Sequence, residues 1–92
     1  MGVYVDDLRP VMRNKSWPYH TACHLVADTV SELHAFARKL SLRRSWYQSN
    51  NNNLPHYDLT ENKRGQAVRF GALEITDRRL VEMIQKHRKG GE

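Results

Sequence analysis

The chain has 92 residues, 39% hydrophobic and 27% charged, a balance that sustains one modest core and excludes a disordered polar tail or a membrane bundle. No apolar stretch approaches the roughly 18 residues needed to span a bilayer, and MGVYVDDLRP has no basic start followed by an apolar run, so no secretory signal is read and a cytoplasmic location is expected. The net charge of +5 favours an anionic partner, but the cationic pairs Arg43 with Arg44, Lys63 with Arg64, and Arg78 with Arg79 are dispersed along the chain.

Residues 2–5 are short, apolar and β-rich, and end at Asp6 and Asp7, which predicts a first strand. Residues 8–21 carry two prolines among mixed polar residues and read as a loop. The run ACHLVA at 22–27 is almost wholly apolar, the pattern of a strand covered on both faces. Cys23, the only cysteine, lies in that run and is expected to be a buried, inert thiol. Thr29 followed three residues later by Glu32 forms a capping box, and Val30, Leu33, Phe36, Ala37 and Leu40 follow at helical spacing.

Residues 44–48 (RSWYQ) read as a third strand, and the asparagines at 50–53 with Pro55 mark an exposed turn. A short helix is expected over 60–70, stopped by Gly71. Residues 72–75 read as a fourth strand, and Thr76 or Asp77 caps a last helix carrying Leu80, Val81 and Ile84. The sequence thus predicts a single α/β domain over residues 1–89 with a frayed tail at 90–92. Its order is β-β-α-β-α-β-α, with about three helices on a mostly parallel four-stranded sheet.

In open parallel sheets, ligands bind beyond the carboxyl ends of the strands, which here selects Asp6 and Asp7, Asp28 and Thr29, Gln48, and Thr76 and Asp77. The loop with His56, Tyr57 and Asp58 is expected to leave the same edge. In an extended segment, His56 and Asp58 face the same way and can share a proton. The helix starts at Thr29 and Thr60 offer amides to an anion, with Lys63, Arg64 and Arg69 as phosphate contacts. Trp46 and Tyr47 offer planes to a base. Alternation turns His24 away from Cys23, Leu25 and Ala27. His24 and Asp28 lie roughly 13 Å apart at strand rise and cannot share a metal. His34 beside Leu33 reads as a core histidine held by backbone. No zinc-type Cys/His spacing, glycine-rich phosphate loop or nucleophile elbow occurs, so neither metal nor cofactor is expected.

Taken together, YVDD at 4–7, CHLVADT at 23–29, ELHAFARKLSLRRSWYQ at 32–48, PHYDLT at 55–60 and AVRFGA at 67–72 resemble the small bacterial and phage family catalogued as domain of unknown function 4031. The resemblance spans nearly the whole chain apart from the 8–21 loop, the asparagine run and the tail. It implies that His24, Asp28, His34, Trp46, Gln48, His56, Tyr57, Asp58 and Arg69 belong to a recurring pattern. Family members often carry Gly where this chain has Ser41. Phage occurrence of a compact basic domain suggests action in the host cytoplasm against a defence system, by capturing or cleaving a nucleotide signal.

The function expected on these grounds is binding of a small phosphorylated nucleotide. The ligand-binding residues are Tyr4, Asp6, Asp28, Thr29, Trp46, Gln48, Tyr57, Asp58, Arg64 and Arg69. In a metal-free phosphodiesterase variant of this reading, His56 is general base and His24 general acid. The alternatives are a nucleic-acid-binding accessory protein, which the scattered charge makes the weaker reading, and a protein-binding inhibitor. A homo-oligomer is plausible because a protomer of this size encloses little volume alone.

Overall fold

A computed structural model describes residues 2–50 and 53–90. Its elements are β1 (Val3–Val5), β2 (Arg9–Pro10), β3 (Thr21–Ala27), α1 (Val30–Lys39), a single 3-10 turn (Arg44–Trp46), β4 (Tyr47–Asn50), β5 (Asn53–Leu59), α2 (Glu61–Arg69), β6 (Leu73–Glu74) and α3 (Asp77–Gly90). Three helices and a single α/β core match the sequence reading; the sheet does not. Among the described residues it has six strands, in the order β4-β5-β3-β1-β6 with β2 also paired to β3. All pairings except β1 with β6 are antiparallel among the described residues.

The expected mostly parallel, four-stranded sheet is therefore corrected, for a reason of connectivity. A parallel return is usually made through a crossover helix. No helix intervenes between β1 and β3 or between β4 and β5. β4 and β5 pair antiparallel, with Asn50 opposite Asn53; the expected exposed turn falls on residues 51 and 52, which lie outside the described residues. The expected third strand at 44–48 begins only at Tyr47. The 8–21 loop is likewise a folded arm. Arg9 pairs with Ala22, Pro10 with Thr21, and Val11 N–H donates to His20 C=O. Its tip is bent by Asn14, whose side chain accepts from the amides of Ser16 and Trp17. Of the expected tail, Gly90 is the last residue of α3, and 91 and 92 lie outside the described residues.

Helix boundaries follow the local chemistry. Thr29 accepts from the Glu32 amide and donates its hydroxyl to the Glu32 carboxylate, so α1 carries a variant of the capping box in which the carboxylate grips the cap side chain. Thr60 and Thr76 accept from the amides of Lys63 and Arg79 at the starts of α2 and α3. Both α1 and α2 end in the same two-bond motif. Ser41 and Leu42 amides bond back to Arg38 and Ala37 carbonyls, and Gly71 and Ala72 amides to Val68 and Ala67. The motif needs a left-handed residue, Gly71 at φ 108° in one case and Ser41 at φ 60° in the other.

Strand alternation divides the sheet into two unlike faces. Cys23, Leu25, Tyr57 and Leu59 are all buried and join Leu33, Phe36, Ala37 and Leu40 of the α1 segment and Ala67 of α2 in one core. Burial pushes the Cys23 thiol up to about 12, which keeps it an unreactive thiol. On the other face, α3 packs against β5, bringing Leu80 and Ile84 beside Val26. The rest of that face, floored by His24, Gln48, His56 and Asp58, is left to the arm of residues 9–20 and to solvent.

Candidate functional site

Register assembles the site. In the pairing of β3 with β5, His24 stands opposite Asp58, and in the pairing of β4 with β5, Gln48 stands opposite His56. Residues directly opposite in a ladder, and residues two apart on one strand, share a face. Four polar side chains from three neighbouring strands therefore form one block. The His24 and His56 rings meet edge to face with centroids 5.1 Å apart.

Each member is held from behind. Asp6 follows β1 and is fully buried. Its carboxylate accepts from the His24 backbone amide at 2.6 Å and from His24 Nδ1 at 2.7 Å, with Arg9 at 3.4 Å. A buried, unpaired carboxylate would cost several kcal/mol. Burial pushes its acidity towards the neutral form, but the hydrogen bonds from His24 and the neighbouring positive charges outweigh that and hold the carboxyl below the usual range. The same bond raises the His24 pKa against the opposing effect of burial. Because an ionised Asp6 only accepts, His24 carries its proton on Nδ1 when neutral, leaving the Nε2 lone pair free.

His56 is oriented in the same way, its Nδ1 donating to the Leu54 carbonyl at 2.8 Å. A carbonyl cannot donate, so here too Nε2 keeps the lone pair. Asp58 is the third member: Gln48 Nε2 donates to its Oδ2 at 2.6 Å, which leaves Oδ1 facing His24 Nε2 at 4.0 Å and His56 Nε2 at 3.7 Å. These three atoms all lie within 4.8 Å of one another, so His24, His56 and Asp58 are the residues able to hold a metal among those described.

Two cavities meet at this block. The larger, about 880 Å³, lies under the arm and is lined by Trp17, Tyr19, Trp46, Arg9 and Lys63 together with His24, Gln48 and Asp58. The smaller, about 280 Å³, lies beside α3 between Val26, Leu54, Leu80 and Ile84, and shares His24, Gln48 and Asp58 while adding His56. Thr60 and Asn62 place the start of α2 at the wall of the larger one.

The structure thus brings together His24, His56, Asp58, Gln48, Asp6 and Trp46 of the residues selected from sequence. It does not bring them to a strand-end rim: the site lies across the middle of a sheet face, because antiparallel strands have no common carboxyl edge. His56 and Asp58 sit on a strand, not in a loop. Other selected residues lie elsewhere. Tyr57 points to the opposite face, fully buried, with its hydroxyl 2.8 Å from His34 Nδ1. His34 is indeed a core histidine, but a tyrosine rather than backbone holds it. Tyr4 donates to Asp28 at 3.0 Å, and these two group with the cap Thr29 at the far end of β3. Arg64 spans from the Asp6 carbonyl at 2.9 Å to Glu74 at 2.9 Å and ties α2 to β1 and β6. Arg69 is exposed in the last turn of α2.

Sequence reasoning missed Trp17 as a cavity wall and the three-atom cluster as a metal-competent set. The signal available was His56-x-Asp58 at strand spacing. The missing datum was the partner strand that supplies His24.

The fold and site define an α/β protein with a histidine–carboxylate constellation on the open face of a mixed sheet. The chain belongs to a family of proteins of unknown function, DUF4031, whose family model matches residues 3–87. No curated protein and no solved structure matches it. Among the described residues no helix is long and apolar enough to cross a membrane.

Proposed function

We propose that the larger cavity binds a small phosphorylated nucleotide whose phosphate end meets the His24–His56–Asp58 block. The observation that carries this reading is the convergence, on one cavity, of a polar floor of His24, Gln48 and Asp58 with aromatic and cationic walls. Trp17 and Trp46 offer planes on which a base can stack, a contact worth roughly 1–3 kcal/mol. Lys63 and Arg9 supply positive charge, and the start of α2 presents backbone amides suited to phosphate oxygens. A cavity of this size suits a ligand of nucleotide dimensions. In a phage setting, such a cavity would capture or cleave a nucleotide signal in the host cytoplasm.

The test is incubation of the protein with cyclic mono- and dinucleotides and ADP-ribose derivatives, followed by heat release and chromatography. Intact ligand recovered in stoichiometric amount supports sequestration, and a new product supports cleavage. Either outcome should weaken by about fivefold or more in Trp46→Ala. Failure of every nucleotide to bind overturns the reading and turns attention to a protein partner.

A further inference from the structure

We infer that His24, His56 and Asp58 form a binding site for one divalent transition-metal ion. The inference goes beyond the ligand reading and does not rest on it.

Three observations support it. First, the donor atoms are right in kind and state. In their neutral forms His24 Nε2 and His56 Nε2 both carry lone pairs, since each ring spends its Nδ1 proton on an acceptor that cannot return one, and Asp58 offers Oδ1. Two imidazoles and one carboxylate suit zinc, manganese, iron or cobalt, whereas magnesium and calcium take oxygen ligands. Second, the spacing fits. The three atoms lie 3.7 to 4.8 Å apart, so an ion at their centre stands roughly 2.4 Å from each, a few tenths of an ångström beyond the ~2.0–2.1 Å of zinc–nitrogen bonds. Small side-chain rotations close that difference. Third, every ligand has an outer partner: Asp6 behind His24, the Leu54 carbonyl behind His56, and Gln48 behind Asp58. Such outer partners orient metal-binding histidines and carboxylates. They also explain why a carboxylate is buried at position 6 and why Gln48 grips the oxygen of Asp58 that faces away from the histidines.

Three protein ligands leave at least one coordination position open, the arrangement of a reactive rather than a purely structural ion. That position faces the junction of the two cavities. A bound ion supplies a Lewis acid and a water of lowered pKa there, and its charge offsets Asp58, which would otherwise repel a phosphate. With Nε2 of both rings on a metal, His24 and His56 are ligands, so the metal replaces the acid–base pair of a metal-free scheme.

The test uses the full chain, stripped with chelator and titrated with Co²⁺ in the absence of any nucleotide. One ion per chain is expected, with visible d–d absorption of a low-coordinate nitrogen/oxygen site that Zn²⁺ abolishes by displacement. His56→Ala and Asp58→Ala should lose it, Asp6→Asn should weaken it by about 10- to 100-fold, and His20→Ala should leave it unchanged. Imidazole ¹⁵N resonances provide a readout on the unaltered protein: of its five histidines, two should shift on adding Zn²⁺, those lost in His24→Gln and His56→Gln. Absence of cobalt absorption, shifts at other histidines only, or binding that survives in both His56→Ala and Asp58→Ala would overturn the metal site. Metal binding without nucleotide binding would overturn only the ligand reading.

Discussion

The two faces of the β3–β5 pair are built from alternate residues of the same strands and follow opposite rules. On one face Cys23, Leu25, Tyr57 and Leu59 are dry and packed against α1 and α2, and their worth lies in area removed from water. On the other, His24, His56 and Asp58 are partly exposed, and their worth lies in how they are aimed. The contrast teaches that a single register decides both. A slip of one residue would exchange the core and the site.

That contrast can be broken by paired substitutions. Leu25→Ala should lower unfolding free energy by about 2–5 kcal/mol in urea melts, whereas His56→Gln should change it by about 1 kcal/mol or less while removing cobalt binding. Comparable losses of stability from both would mean that the polar face is structural and not a site.

A smaller effect separates the buried His34 from the half-buried His24. Burial, with the positive charges of Arg44 and Arg38, lowers the pKa of His34 below its ordinary 6.5. Unfolded, this ring takes a proton near that value; folded, it resists until lower pH. The unfolded state therefore binds more protons in the window below 6.5, and stability falls as pH drops through it. His24, whose pKa is raised, has the opposite sign: its stabilisation is full below 6.5 and lost as pH rises through its folded value. The His34 component is isolated by comparing wild type with His34→Phe in chelator, where the variant should lose less stability between pH 7 and 5. A steeper loss in the variant would refute the assignment.

The smallest effect concerns neither face but the helix ends. Ser41 holds φ 60° where α2 uses Gly71 at the equivalent place. Ser41→Gly should raise stability by up to about 1 kcal/mol, relieved left-handed strain outweighing the greater freedom of an unfolded glycine. A fall in melting temperature would show that the serine side chain contributes more than its backbone costs.

Much of the local structure was legible in the chain itself. The cap at Thr29, the stop at Gly71 and the outward aim of His24 between Cys23 and Leu25 all follow from short-range chemistry, because neighbours a few residues apart decide them. His56 and Asp58 could be paired on the same ground. Tyr57 could not be separated from them by composition; only its position between them on a strand sends it to the core. Trp17 looked like loop, since nothing within 8–21 reveals that the arm folds back along β3.

Sequence alone determined which segments are helix, which histidine belongs to the core, and that the chain forms one small α/β unit. Tertiary structure decided that β3 and β5 lie antiparallel with His24 opposite Asp58, and so which lone pairs converge. Strand pairing joins residues more than thirty positions apart through backbone hydrogen bonds common to every residue type. Local sequence therefore carries no record of the partner, and the site exists only once register is set.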